Sequence, residues 1–194
     1  MNQAISLIVG LGNPGPEYAQ TRHNAGFRFL ERLVGETGVV LRQEARFRAD
    51  CARVMLAGRE VWLLAPQTFM NHSGESVQKF AHFYKIAVPG ILVVHDEIDL
   101  PPGAVRLKIG GGDGGHNGLK DVTEQLGSGE YIRLRLGVGR PDTSAQVVSY
   151  VLRRAPIAEQ TLLDDAITEA LRHIDDIVQG DLQKVMNVLH LHAR

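Results

Sequence analysis

The sequence predicts an α/β layer fold, and three observations predict it. Short apolar runs of strand length alternate with segments that repeat apolar residues at helical spacing. The run 5–9 is apolar except for Ser6, and 91–94 is apolar without a break, as in buried strands. Polar clusters of Asn, Asp, His and Gly follow strands or precede helices, where open α/β sheets gather ligands. No repeat, low-complexity tract or linker interrupts the 194 residues, so one domain spanning 1–194 is expected.

The elements follow in order. The run 5–9 is the first strand. Residues 25–34 place Phe27, Leu30, Leu33 and Val34 on one helical face, and Gly35 is expected to stop that helix. Residues 47–56 and 61–65 read as a hairpin around Ala57-Gly58-Arg59-Glu60. Ser73 is expected to cap a helix that buries Val77, Phe80, Ala81 and Tyr84. After the strand 91–94, residues 105–109 and 131–138 alternate apolar and basic side chains, with a helix around Leu119, Val122 and Leu126 between them. Pro156 is expected to open a long helix through Ile157, Leu163, Ile167, Leu171, Ile174 and Val178, ended by Gly180. Asp181 then caps a last helix with Val185, Met186 and Leu189 inward.

Composition removes several function classes. One cysteine excludes an internal disulfide framework and a Cys-rich zinc site. No apolar run is long enough to span a membrane as a helix. The first residues lack the basic and apolar regions of a signal peptide, so a cytoplasmic location is expected. Net charge is −1, so a polyanion must be met by a local basic patch.

The stretch Gly10-Leu-Gly-Asn-Pro-Gly-Pro16 spells the dinucleotide fingerprint Gly-x-Gly-x-x-Gly after a strand. That fingerprint needs its third glycine to open a helix whose N-terminus holds a pyrophosphate. Pro14 and Pro16 flank Gly15, and Pro16 disfavours helical backbone before it and offers no N–H. The loop reads better as a stiff bracket that presents Asn13 and, further on, His23.

Four clusters could carry chemistry: Asn13 with His23-Asn24, Asn71-His72, Asp96-Glu97 with Asp99, and His116-Asn117. A histidine beside a carboxylate is a general base near neutral pH. Asparagine amides orient water or donate to a developing oxyanion. The set fits metal-free hydrolysis of an acyl bond by activated water. No Gly-x-Ser-x-Gly elbow competes, and Cys51 lies in a strand pattern. A metal centre on His95-Asp96 is disfavoured, because neighbours on a strand point to opposite faces. In Gly110-Gly-Gly-Asp-Gly-Gly-His-Asn-Gly118, six glycines among nine residues leave the backbone free to approach a ligand or to move. The absence of a following Gly-Lys-Ser/Thr rules out a Walker loop. Arg106 with Lys108, and Arg133 with Arg135, each share one strand face. If the strands are neighbours, the four cations form a patch opposite the core that suits a phosphate or is simply a solvated face.

Six motifs then stand in one order: Gly10-Leu-Gly-Asn-Pro-Gly15, Thr21-Arg-His-Asn-Ala-Gly26, Pro66-Gln-Thr-Phe-Met-Asn71, His95-Asp-Glu-Ile-Asp-Leu-Pro-Pro-Gly103, Gly114-Gly-His-Asn-Gly-Leu-Lys120 and Arg133-Leu-Arg-Leu-Gly-Val-Gly139. Nearly end to end, this resembles the bacterial peptidyl-tRNA hydrolases. The resemblance implies a single-domain, twisted, mixed and mostly parallel sheet flanked by helices. It implies hydrolysis of the ester joining a peptide to the 3′ end of tRNA, which recycles the tRNA, with no metal and no cofactor. His23 then corresponds to the catalytic base, Asp96 to the residue orienting it, and Asn13 to the residue positioning the ester. Tyr18, Met70, Asn71, His116 and Asn117 correspond to substrate-binding positions. Lys108 and Arg135 correspond to a clamp for the tRNA 5′-phosphate. The implied partner is the acceptor end of peptidyl-tRNA with its 3′ CCA, met by a monomer away from membranes. Asp113 places an acid in the glycine loop and receives no role. An RNA-binding protein on the same scaffold, without chemistry, is the alternative.

Overall fold

A computed structural model of the protein describes residues 3–191. One seven-stranded sheet runs through it: β1 (Leu7–Gly10), β2 (Arg42–Glu44), β3 (Ala49–Leu56), β4 (Arg59–Pro66), β5 (Ile91–Glu97), β6 (Val105–Ile109) and β7 (Ile132–Gly137), in the order β2-β3-β4-β1-β5-β7-β6. The four central strands β4, β1, β5 and β7 are parallel. The outer pairings are antiparallel. The sheet is therefore mixed, with its parallel part in the middle. Helices α1 (Ala25–Thr37), α5 (Ile157–Arg172), α6 (Ile174–Gln179) and α7 (Leu182–Leu191) supply one packed layer. On the other face lie α2 (Ser73–Phe83) and α3 (Asn117–Leu126).

Both faces are covered, so the central strands are apolar on both sides. In β5, Leu92 and Val94 join one core cluster while Ile91 and Val93 join the other. Continuing the alternation puts Asp96 on the α1 face and His95 on the α2–α3 face. The expected end of this strand at Val94 is too early. Pairing with β7 continues through His95↔Arg135, Asp96↔Leu136 and Glu97↔Gly137. Backbone hydrogen bonding, not hydrophobicity, sets that end.

Other boundaries move for local reasons. The first strand is Leu7–Gly10 and not 5–9. Gly35 does not stop α1, because an exposed glycine inside a helix costs only about 1 kcal/mol. The helix ends at Gly38, which takes φ 74° and donates its N–H to the Val34 carbonyl. The hairpin turn is two residues, Ala57 and Gly58 at φ 52° and 71°, the positive pair of a type I′ turn. Arg59 and Glu60 are therefore the first residues of β4, opposite Leu56 and Met55. Ser73 is the first residue of α2 and not its cap; its buried hydroxyl donates to the Met70 carbonyl at 2.8 Å. The long C-terminal helix is two helices, α5 and α6, separated at His173. Pro156 precedes α5, and Ile157 is 78% exposed and outside the core.

The glycines after β1 serve packing. A Cβ on Gly10 would lie 2.4 Å from the Gly26 carbonyl, and one on Gly12 would lie 2.6 Å from the Phe27 ring. Gly26 in turn sits against the backbone of Leu11 and Val94. The first turn of α1 is thus pressed onto β1 and β5, where a pyrophosphate would otherwise lie. The helix begins at Ala25, ten residues beyond Gly15, so the dinucleotide reading fails on geometry.

The contrast between two glycines of α1 is testable. Gly26→Ala places a methyl group 2.4 Å from the Leu11 nitrogen and the Val94 oxygen, and overpacking against backbone costs about 3 kcal/mol or more. Gly35→Ala meets nothing within 4 Å and should stabilise by roughly 0.5–1 kcal/mol. Urea denaturation of both variants checks the opposite signs.

Candidate active site

A cleft of about 230 Å³ opens at the carboxyl ends of the four parallel strands. The chain leaving β1 supplies Asn13 and His23, and the chain leaving β4 supplies Met70 and Asn71. The end of β5 supplies Asp96. Gly114, Gly115, His116 and Asn117 close one side. The opposite wall is α4 (Val147–Val151), through Val147, Val148 and Val151.

Asp96 is the centre. Its carboxylate is 2% exposed and accepts from two imidazoles. His23 Nδ1 lies 3.0 and 2.9 Å from the two oxygens. His116 Nε2 lies 2.8 Å from Oδ1. Burial alone would raise the Asp96 pKa, but the neighbouring His23 and His116 and their hydrogen bonds hold it well below the usual carboxylate range. Burial pulls the His23 pKa down, while the Asp96 charge and hydrogen bond push it up; the net direction is up. With Nδ1–H given to Asp96, His23 keeps its Nε2 lone pair for the cleft that it lines.

Asn13 is held by a reciprocal brace. Its N–H donates to Asn24 Oδ1 at 2.9 Å, and Asn24 Nδ2 donates back to the Asn13 carbonyl at 3.0 Å. Its side-chain oxygen accepts the Met70 N–H at 2.7 Å. A backbone N–H only donates, so the carboxamide orientation is fixed and Nδ2 is left to donate into the cleft. The bracket expected between Asn13 and His23 therefore runs through Asn24, the residue after His23.

The turn Arg22–Asn24 is tied to α4. Arg22 lies 3.8 Å over the Tyr150 ring, donates to the Tyr150 carbonyl at 3.0 Å and pairs with Glu159 at 3.3 Å. The wall formed by α4 escaped the sequence reading. A signal was present: Thr143-Ser-Ala-Gln146 has the capping-box pattern, and Gln146 Oε1 accepts the Thr143 N–H at 3.2 Å.

The expected site residues divide clearly. His23, Asp96, Asn13, Met70, Asn71, His116 and Asn117 all line the one cleft. Tyr18 is not among the lining residues; it packs edge-on against Phe69 with ring centroids 6.4 Å apart, and Phe69 faces the cleft instead. Lys108 and Arg135 line a second depression of about 200 Å³, which shares Glu97 and Gly114 with the cleft. The strands β6 and β7 are neighbours as supposed, with Arg106 opposite Arg135 and Lys108 opposite Arg133. They do not form a patch of four free cations. Arg133 is 2% exposed and donates to the carbonyls of Gly111 and Gly112. Arg106 donates to the Leu189 carbonyl at 3.1 Å, and Arg135 pairs with Glu97 at 2.8 Å.

Among the described residues, His23, Asp96 and His116 are the trio whose ligand-type atoms lie within 4.8 Å of one another. Both imidazole nitrogens there sit at hydrogen-bond distance from the carboxylate, an arrangement of proton donors and acceptor. His95 takes no part, since its Nδ1 donates to the Asp96 carbonyl at 2.7 Å. Burial first, then His116 and Arg133, lower its pKa to about 3.

The family model described as Peptidyl-tRNA hydrolase matches residues 7–194. The chain belongs to the peptidyl-tRNA hydrolase family. It is 53% identical over 191 residues to the peptidyl-tRNA hydrolase of Teredinibacter turnerae, covering 98% of this chain and 99% of that protein. It is 52% identical to that of Tolumonas auensis, covering 98% and 97%. The crystal structure of peptidyl-tRNA hydrolase from Acinetobacter baumannii superposes with TM-score 0.95 at 47% identity, covering 100% of this chain and 98% of that one. The family hydrolyses the ester bond of peptidyl-tRNA, so this protein is a hydrolase acting on a tRNA substrate. No helix among the described residues is long and apolar enough to cross a membrane.

The opposed influences on His23 give a sign that can be measured. Its raised pKa adds stability that is complete below the ordinary imidazole value of about 6.5 and is lost as pH rises through the folded value. The lowered pKa of Asp96 adds stability that is complete above about 3.9 and is lost as pH falls through the folded value. Asp96→Asn removes both and leaves burial unopposed. In ring-proton NMR titrations, His23 should titrate above its ordinary value in the parent protein and below it in Asp96→Asn.

Proposed function

We propose that His23 activates the water that cleaves the peptidyl-tRNA ester. The observation that supports it most is the His23 imidazole, anchored by Nδ1 on a buried carboxylate while Nε2 faces the cleft. In this reading Nε2 takes a proton from water as the water oxygen adds to the ester carbonyl. Asn13 Nδ2 donates to the substrate at that carbonyl. Collapse breaks the bond to the ribose oxygen, which leaves with the proton held on Nε2. The products are a peptide carboxylic acid and tRNA with a free hydroxyl, and His23 returns to its starting form. Asp96 stabilises the transient imidazolium without accepting its proton. Asn71 and Asn117, both exposed at the rim, hold the peptide backbone.

The acceptor end of the tRNA lies across both depressions, with the CCA in the cleft and the 5′-phosphate at Lys108 and Arg135. Lys108 is exposed and makes no ion pair among the described residues. A phosphate must draw Arg135 away from Glu97. In this reading the protein acts as a monomer in the cytoplasm, on peptidyl-tRNA released from ribosomes.

Incubation with N-blocked aminoacyl-tRNA, following free tRNA, tests the chemistry. His23→Ala should lower kcat by roughly 10²–10⁴-fold while tRNA binding is largely kept; equal loss of both would make His23 structural. Lys108→Ala tests the phosphate site. It should weaken tRNA binding and reduce the slope of log K against log salt by about one, and it should leave hydrolysis of a small ester without the phosphate unchanged. An unchanged slope removes Lys108 from the clamp.

A further inference from the structure

His116 does more than line the cleft. Gly118 N–H and Leu119 N–H both point at its Nδ1, at 3.1 and 3.3 Å. Nδ1 is therefore the acceptor and caps α3. The ring proton is left on Nε2, directed at Asp96 Oδ1 at 2.8 Å. His23 Nδ1 meets both oxygens of the same carboxylate, and the two rings lie 4.8 Å apart at 46°. The helix cap thus fixes the tautomer, and the tautomer fixes the carboxylate.

We infer that His116 is a positioning residue for His23, acting through Asp96: its Nε2–H occupies Oδ1 and holds the carboxylate plane so that His23 Nδ1 meets it squarely and Nε2 stays aimed into the cleft. It also sets how strongly Asp96 retains the proton on His23. A carboxylate that accepts two N–H donors holds each more weakly than a carboxylate that accepts one. Withdrawing the His116 donor concentrates the charge of Asp96 on His23 and favours the imidazolium. The titratable groups facing the pair are few. His95 and Glu97 come from the strand of Asp96 itself, and Arg133 faces His95 from β7. The α4 wall contributes Val147, Val148 and Val151, and the turn after β4 contributes Met70 and Asn71.

The catalytic consequence rests on the proposed role of His23 as base, while the coupling itself is readable without any substrate. The variant is His116→Asn. Asparagine is a good N-cap and its Oδ1 stands in for Nδ1, but it is too short to donate to Asp96. If the Asn variant does not fold, His116→Ser, another capping residue, takes its place. NMR titration of the His23 ring should show its pKa moving up by about half a unit to one unit. In the N-blocked aminoacyl-tRNA assay the acid limb of kcat/KM should move up by the same amount. The kcat on the plateau should fall about tenfold with KM nearly unchanged, and the fold should be kept at a modestly lowered Tm, since the buried carboxylate loses one donor. Three results overturn the inference: a His23 pKa that does not move, a raised KM with an unmoved acid limb, which makes His116 a substrate contact, or a lowered Tm with an unmoved limb, which makes it a helix cap only. A His23 pKa that moves while the limb does not would uphold the coupling and overturn His23 as the base.

Discussion

A buried carboxylate at the end of a buried strand is the constraint around which this molecule is arranged. Removing the Asp96 charge from water is expensive unless donors replace the water. Here the donors come from both helical layers, His23 from the turn before α1 and His116 from the cap of α3. Neither arrives without close packing behind it. His23 reaches the strand end because Gly26 lets α1 rest on the backbone of Leu11 and Val94. Similarly, α3 reaches it where Gly118 passes Met70 and Leu11, so that a Cβ there would lie 2.5 Å from the Met70 sulfur. Asp96 therefore joins the two layers at the carboxyl end of a central strand, and the cleft lies beside it.

The same constraint explains why the fold was more legible than its edges. Continuous apolar runs mark β1 and β5, because both faces of those strands are covered. The loops that carry Asn13, Met70 with Asn71, and Asp96 follow the carboxyl ends of the parallel strands β1, β4 and β5, where ligand sites are expected, whereas His116 and Asn117 arrive from the antiparallel edge strand β6. The end of β5 could not be anticipated. Its last three residues, His95, Asp96 and Glu97, are polar, and only the ladder with β7 keeps them extended. Likewise, Gly35 and Gly38 look alike in sequence. One lies in an exposed helix interior, while the other takes the left-handed conformation that closes α1.

The site was legible by residue type and less so by connection. His23, Asp96 and Asn13 were identified as a set, and they share the cleft. The brace through Asn24 was not visible, since it depends on which way two carboxamides face. Tyr18 shows the converse. The family resemblance assigned it to substrate binding, yet it packs against Phe69, and Phe69 is the residue that lines the cleft. Residue identity indicates which chemistry is possible, and the tertiary fold decides which neighbour is reached first.

Four cations on one face of two paired strands cannot remain free together, because like charges so placed destabilise the pair. The fold disperses them among different acceptors: Arg106 on the Leu189 carbonyl, Arg135 on Glu97, and Arg133 beneath the glycine loop. The last choice shapes the loop. To turn two successive carbonyls onto one guanidinium, the chain passes through φ 64° at Gly110 and 103° at Gly111, backbone that side-chain-bearing residues seldom adopt. The glycines that resembled a flexible or phosphate-cradling loop are thus required, at least at 110 and 111, by a buried arginine. Lys108, opposite Arg133 on the edge strand and exposed, makes no ion pair among the described residues. A basic stripe in sequence thus becomes two buried or carbonyl-bound arginines, one arginine held by an exchangeable ion pair with Glu97, and one lysine without an ion pair among the described residues.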